Sequence, residues 1–103
     1  MLRPSWINDE PGCEAEYRRR HDALWPALGQ ALRDAGISDY SIFLDPETLT
    51  LFAVQKLADG NTAADLPRLP IVRQWWDYMA PLMETLPDHT PAAGELIEVF
   101  HID

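Results

Sequence analysis

Two residues in this sequence stand out as candidates for chemistry, a tyrosine and a histidine four positions apart, Tyr17 and His21. Residues four apart lie on one face of an α-helix, and leucines at 24, 28 and 32 continue that face. An imidazole titrates near neutrality, so a histidine beside a tyrosine on an inward face is a candidate for proton transfer. The alternative is a core histidine whose ring nitrogens have found hydrogen-bond partners, and spacing alone leaves both interpretations open.

A second group of candidates consists of aromatic residues that the predicted elements bring together. Besides Tyr17, its members are Tyr40, Trp75, Trp76 and Tyr78. Trp75 falls on the inward stripe of its predicted helix, where core packing also explains it, whereas Trp76 lies at the flank of that stripe. An indole at the flank offers a flat apolar face with an N–H at its rim. Such a surface suits a sugar ring that has one C–H-rich face and hydroxyls around its edge.

The sequence lacks the usual signatures of metals and cofactors. His21, His89 and His101 lie in three different predicted elements and show none of the short spacings of metal ligands. There is no C-x-x-C pair, Gly-rich phosphate loop or H-E-x-x-H helix, and nothing supplies Cys13 with a partner base. We therefore expect neither a metal site nor a cofactor.

The charge balance argues against several classes of partner. Eight basic and seventeen acidic residues give a formal net charge of −9, which repels the phosphates of nucleic acids and anionic membrane surfaces. The run Arg18–Arg20 is accordingly read as a solvated helix face whose arginines pair with acidic residues of the same helix or of a second subunit. A single cysteine and the lack of an N-terminal apolar run predict a cytoplasmic protein. We expect one domain over residues 1–103 that binds neither nucleic acid nor membrane.

The elements that must position these residues follow from periodicity and turn signals. Residues 2–7 are by themselves a poor candidate for a strand, because Pro4 lacks a backbone donor and the polar residues 8–10 end the pattern. A helix is expected over about 13–35, kinked near Pro26. Alternating apolar residues then predict a hairpin of two strands, over about 40–44 and 49–54.

The second half of the sequence predicts a loop over 58–70, a helix from Pro70 to about residue 86, and a last strand over 95–101. The order strand, helix, strand, strand, helix, strand indicates a ferredoxin-like α+β fold, an antiparallel sheet with both helices on one face. Both faces of the hairpin carry apolar residues. The face away from the helices therefore needs a ligand or a second subunit to cover it, which predicts a homodimer.

Three separated segments resemble the L-rhamnose mutarotase family. They are E-Y-R-R-R-H-D-A-L-W-P at 16–26, D-Y-S-I-F-L-D at 39–45 and W-W-D-Y-M at 75–79. The resemblance extends over nearly the whole chain. It implies a first strand over residues 2–7 and a dimeric α/β barrel in which two such sheets close on each other. It also implies cofactor-free interconversion of the α and β anomers of L-rhamnopyranose by general acid and base catalysis.

Carried over residue by residue, the resemblance makes His21 the proton donor and Tyr17, Tyr40, Trp75 and Trp76 the residues that bind the sugar. The second acid or base stays open between Asp88 and a tyrosine hydroxyl. The sequence departs from the family in its poor first strand and at 86–91, where L-P-D-H-T-P replaces the common N-P-D-N-S-P. Two other functions remain, a cofactor-free or haem-linked monooxygenase of the same dimeric barrel type and a non-catalytic sugar-binding module.

Overall fold

A computed structural model describes residues 2–103 and shows a small α+β fold built on an antiparallel sheet. Its regular elements are β1 (Leu2–Asn8), α1 (Glu14–Asp22), α2 (Pro26–Asp34), β2 (Ile37–Asp45), β3 (Thr50–Leu57), α3 (Pro70–Met79) and β4 (Gly94–Glu95), with 3₁₀ segments at Ala63–Arg68 and Ala80–Leu82. The four strands pair in the order β2-β3-β1-β4. Among the residues described, no helix combines the length and apolar character needed to cross a membrane.

The sheet has two chemically distinct faces. Ile7 and Leu51 are buried on the face that packs against the helices, which we call the inner face. On the opposite, outer face, Trp6 lies opposite Phe52, and Phe52 lies opposite Phe43 on the next strand. Directly opposed residues in antiparallel strands project on the same side, so these three rings form one row across three strands.

The first strand is better formed than its sequence suggests, because β1 pairs with β3 along its whole length. The carbonyl of Pro4 accepts the Leu96 N–H at 3.2 Å. The nitrogen and carbonyl of one strand residue point to the same side, so the missing N–H of Pro4 faces away from β3 and costs that ladder nothing.

The predicted last strand over 95–101 is wrong in extent, since β4 covers only Gly94–Glu95. Pro4 provides the physical reason: it accepts from Leu96 but has no N–H to return, so pairing ends there. The residues beyond Leu96 form no regular element, and Ile97 is 87% exposed.

The helix predicted over 13–35 is two helices, not one kinked helix. Pro26 is the first residue of α2, and Trp25 before it is extended, with φ −60° and ψ 127°. Proline disfavours helical geometry in the preceding residue but fits the first turn of a new helix, so the chain restarts there. The helix predicted from Pro70 likewise ends early, at Met79, because Pro81 cannot donate to an α-helical bond.

The arginine run pairs mainly within its own helix, as expected. Arg19 and Arg20 both donate to the Glu16 carboxylate, at 2.6 and 2.7 Å, and Arg18 lies 4.0 Å from Asp22. Arg20 also donates to the backbone carbonyl of Tyr78 and lies over its ring. This side chain therefore links α1 to α3.

Asp9, just after β1, is a buried acid without a partner. It is 4% exposed, and neither carboxylate oxygen has a hydrogen-bond partner among residues 2–103. Burial raises its pKa from 3.8 to about 6, with the nearby Glu14 and Glu10 charges adding to the effect. Its charged form therefore destabilises the native state.

We predict that Asp9→Asn will remove a pH-dependent loss of stability. A native pKa above the unfolded value means that the native state binds the proton more tightly, so this contribution falls as pH rises from 3.8 to about 6. Between pH 3.8 and about 6 the contribution of Asp9 to the free energy of unfolding should fall by at most about 3 kcal/mol, at ~1.36 kcal/mol per pKa unit. Urea unfolding of both proteins across this range measures it. Asp59→Asn, on an exposed loop, should keep the wild-type profile, and an unchanged profile for Asp9→Asn would contradict the assignment.

Candidate active site

A cleft of about 130 Å³ lies between the inner face of the sheet and helices α1 and α3. It is lined by Ser5, Ile7, Tyr17, His21, Tyr40, Ile42, Leu51, Ala53, Trp75, Trp76, Met79, Met83, Pro91 and Ala93. The structure thus brings together His21, Tyr17, Tyr40, Trp75 and Trp76, whereas Tyr78, the remaining aromatic candidate from the sequence, does not line the cleft.

Helix α1 presents Tyr17 and His21 to the cleft, one turn apart. His21 Nδ1 lies 3.0 Å from the Tyr17 backbone oxygen, and the two rings stack with centroids 4.4 Å apart. A carbonyl oxygen can only accept, so Nδ1 carries the hydrogen. In the neutral ring, Nε2 is therefore left with a free lone pair, as a proton acceptor requires.

The surroundings of His21 favour its neutral form. Trp75 meets the imidazole edge-on, with centroids 5.3 Å apart, and is itself buried. Burial lowers the pKa of His21 below 6.5, and the hydrogen bond to Tyr17 and the charge of Asp22 only partly oppose this effect. At neutral pH the ring therefore starts uncharged.

Both tyrosines of the cleft stay protonated at neutral pH. Burial raises the pKa of Tyr17 well above 10, and Tyr40 and Asp9 add to the effect. Tyr40 keeps 45% of its surface exposed, yet protein atoms crowd its phenol and raise its pKa as well. The two side chains are neutral O–H groups that can donate hydrogen bonds into the cleft.

Tyr40 alternates with Ile42 along β2, so both side chains project from the inner face, as the sequence pattern indicates. The register with β3 shifts between Ser38 and Ser41, and Asp39 has a positive φ of 47°. The one inserted residue reverses the alternation before Tyr40, so Ile37 also lies on the inner face. The sequence signal for this bulge is Asp39 itself, because aspartate tolerates the left-handed region better than most residues.

Trp76 forms a side wall of the cleft, and it is less buried than Trp75. The guanidinium carbon of Arg73 lies 5.1 Å from the centre of its ring. The flank position predicted from helical spacing is therefore observed, and one face of this indole is covered by a cation.

Asp88 is not among the residues that line the cleft. Its carboxylate accepts the Thr90 N–H at 3.0 Å and lies 3.5 Å from Arg73. The bonds to Thr90 lower its pKa, and the side chain is exposed. The position of Asp88 therefore does not suit the role of second acid or base, and a tyrosine hydroxyl is left as the alternative.

The two other histidines lie outside the cleft. His89 Nδ1 is 2.8 Å from Asp77, and His101 Nε2 is 2.8 Å from Asp103 near the chain end. Over the described part of the chain, no three His, Cys, Asp or Glu side chains are grouped so as to hold a metal.

Sequence reasoning missed part of the lining. Ser5 adds a hydroxyl from β1, and its alternation with Ile7 was the available signal. Pro91 and Ala93, from the segment before β4, carry no signal of this kind, because only the path of the backbone brings them there.

A second, larger cleft of about 420 Å³ is more open to solvent. Its lining includes Arg3, Pro4, Asn61 and Glu95, without an imidazole or an aromatic ring. The smaller cleft is therefore the candidate for proton-transfer chemistry.

Comparison with known proteins gives matches over nearly the whole chain. A family model described as L-rhamnose mutarotase matches residues 6–102. An L-rhamnose mutarotase of Rhizobium johnstonii is 53% identical over 92 residues, covering 89% of this chain and 87% of that protein. One of Burkholderia ambifaria is 54% identical over 93 residues, covering 90% and 89%.

Solved structures agree with the sequence comparisons. The crystal structure of an L-rhamnose mutarotase from Formosa agariphila has a TM-score of 0.93 at 43% identity, covering 100% of this chain and 99% of that one. A protein of Pseudomonas aeruginosa at 15% identity has a TM-score of 0.57, which shows a shared fold alone. The match over residues 6–102 and identities above 50% show that the chain belongs to the L-rhamnose mutarotase family.

Proposed function

We propose that this protein is an isomerase that interconverts the α and β anomers of L-rhamnopyranose. Family membership supports the reaction, and the relatives' names do not favour the monooxygenase or binding-module alternatives. The observation that carries the proposal is the anchored imidazole of His21, whose Nδ1 is held by Tyr17 while the ring lines a cleft with two neutral phenols.

The reaction needs two proton transfers and no electron transfer. One group removes the proton of the anomeric hydroxyl while another gives a proton to the ring oxygen, and the C1–O5 bond breaks. The C1–C2 bond of the open aldehyde then rotates. Closure on the opposite face of the carbonyl reverses both transfers, so atoms and charge balance over the cycle.

His21 serves as one of the two groups in this proposal. Because its pKa lies below 6.5, Nε2 is unprotonated at neutral pH and takes the anomeric proton during ring opening. The imidazolium returns a proton during closure, which is the donor role implied by the family resemblance. The hydroxyl of Tyr40 or Tyr17 faces the ring oxygen as the second group, since both phenols keep their proton.

The two tryptophans supply the binding surface in this proposal. Trp75 forms the buried end of the cleft and Trp76 its side wall. Apolar C–H groups and the methyl group of a 6-deoxy sugar gain by leaving water against such rings, while hydroxyls at the sugar edge reach Ser5 and the tyrosines.

We further propose a ferredoxin-like topology and a homodimer that closes as a dimeric α/β barrel. The support is the outer-face row, in which Trp6 is 37%, Phe52 36% and Phe43 60% exposed. Large exposed apolar patches of this kind mark protein interfaces. Because the row lies on the face opposite to the cleft, a second copy can cover it without closing the site. We also propose a cytoplasmic location, because a single cysteine cannot form an intramolecular disulfide.

We predict that His21→Asn will slow anomer exchange by about 10²–10⁴-fold while sugar binding largely survives. The wild-type rate should fall as pH drops through a pKa below 6.5, because a protonated Nε2 cannot accept, and the variant should lose this dependence. Two-dimensional NMR exchange between the anomeric proton signals measures the rate.

The matched control for that experiment is His101→Asn, outside the cleft, which should exchange like the wild type. Melting temperatures of all three proteins separate lost chemistry from lost folding. Near-normal exchange in a destabilised His21→Asn protein would make His21 a core residue and remove it from the mechanism.

We predict that Trp76→Ala will weaken binding of L-rhamnose by about 1–3 kcal/mol, because the sugar loses an apolar platform. Titration followed by tryptophan fluorescence gives the dissociation constant. Trp76→Phe keeps an aromatic face and should retain most of the affinity. Unchanged affinity in a folded Trp76→Ala protein would assign this ring to packing alone.

We predict a homodimer at micromolar concentration, which sedimentation equilibrium tests directly. Phe43→Glu places a charge in the outer-face row and should shift the protein to monomers. Thr48→Glu, in the exposed turn between β2 and β3, should not. A wild-type monomer under these conditions would rule out the barrel.

A further inference from the structure

One wall of the cleft is formed by a segment with no catalytic group. Residues 84–93, which we call the wall loop, connect the second 3₁₀ segment to β4, and two of its members, Pro91 and Ala93, line the cleft. The mechanism above uses none of its side chains. Contacts with other elements must therefore hold this wall in place beside the cleft.

Arg73 on α3 attaches the wall loop at its far end from Glu84, whose N–H donates to the Asn8 carbonyl at 3.0 Å. It donates from Nε to the Pro67 carbonyl at 2.7 Å and from Nη1 to the Thr90 hydroxyl at 3.2 Å, and it lies 3.5 Å from the Asp88 carboxylate. The same guanidinium lies 5.1 Å from the centre of the Trp76 ring. One side chain therefore joins the 3₁₀ segment Ala63–Arg68, the wall loop and the indole wall of the cleft.

A second attachment lies one helical turn further along α3. The Asp77 carboxylate lies 2.8 Å from His89 Nδ1. Residues four apart lie on one helix face, so Arg73 and Asp77 hold two neighbouring points of the same loop. His89 has a positive φ of 69°, a conformation disfavoured for a non-glycine residue, which its tie to Asp77 helps to hold.

The wall loop is also bonded to itself. The N–H groups of Leu86 and His89 donate to the carbonyls of Thr90 and Leu86, at 2.8 and 2.9 Å, and the Asp88 carboxylate accepts from the Thr90 N–H. A loop closed in this way moves as a unit. Fixing it at Thr90 and Asp88 therefore also fixes Pro91, the next residue, which faces the cleft.

We propose that Arg73 is a positioning residue, which holds the wall loop and Trp76 in the arrangement that receives the sugar. The inference rests on the proposed function. Each bond is partly exposed and weak alone, but together they order two walls of the cleft before the sugar arrives. Less conformational entropy of the protein is therefore lost on binding. The imidazole of His21 projects from α1 and contacts Tyr17 and Trp75, whereas Arg73 contacts the wall loop and Trp76. Loss of the attachment should therefore raise KM and leave kcat almost unchanged.

The test replaces Arg73 with lysine, which keeps the charge but loses the planar fork that serves several acceptors and covers a ring. Exchange rates over a range of L-rhamnose concentrations give kcat and KM separately. For Arg73→Lys we expect KM to rise about 3- to 30-fold, as for one or two partly exposed charge-assisted bonds, with kcat within about 2-fold. Arg68→Lys is the matched control, because Arg68 is exposed and pairs with Asp65 at 3.7 Å, away from the loop.

Asp77→Asn is a second variant that loosens the other attachment, and it should raise KM in the same direction with a smaller effect. All rates are measured below the lowest melting temperature of the set, so each refers to folded protein. An unchanged KM for Arg73→Lys, or a fall in kcat at constant KM, would overturn the proposal.

A separate readout distinguishes this inference from the proposed function. Tryptophan fluorescence titration gives the dissociation constant of L-rhamnose without any turnover. If the wild type binds but does not exchange anomers, the proposed function fails, and the dissociation constants of Arg73→Lys and Arg68→Lys still decide the role of Arg73. Equal dissociation constants for these two variants would refute the positioning role of Arg73.

Discussion

The hydrogen bond between His21 Nδ1 and the Tyr17 carbonyl, at 3.0 Å, is the contact on which the site depends. Both partners belong to one helix, so this bond fixes the tautomer and the orientation of the ring independently of how α1 packs against the rest of the fold. What remains is to place α1 against the sheet and α3. Arg20 contributes to this by donating to the Tyr78 carbonyl, and Trp75 completes it by packing edge-on against the imidazole. A local hydrogen bond thus determines the tautomer of the ring, and long-range contacts determine its position in the fold.

Burial shifts the pKa values of the histidine and the tyrosine in opposite directions, yet it favours the neutral form of both. It lowers the pKa of His21 and raises that of Tyr17, so both are neutral at working pH. When a neutral acceptor gains a proton and a neutral donor loses one, opposite charges form and the net charge of the site stays unchanged. The sheet makes this burial possible on its inner face, while Phe43 on its outer face stays exposed.

Several features were determined by local sequence alone. The four-residue spacing of Tyr17 and His21 put both on one helical face, and helical spacing put Trp76 at the flank of α3. Alternation predicted the hairpin, and the family resemblance drew these segments into one site. These predictions succeeded because helix and strand periodicities are properties of the backbone and do not depend on distant contacts. The first strand was implied by the family resemblance and not by periodicity, and its proline is tolerated because its missing donor faces away from β3.

Tertiary structure decided the rest. The register shift before Ser41 exists only once β2 pairs with β3, and it places Ile37 on the same face as Tyr40 and Ile42. The last strand stops at Glu95 because Pro4, ninety residues earlier in the chain, has no donor to offer it. Asp88, named from the sequence as a candidate second acid or base, lies 3.5 Å from Arg73 on another element and outside the cleft. Each outcome depends on which backbone or charge becomes a neighbour, and periodicity carries no information about such pairings.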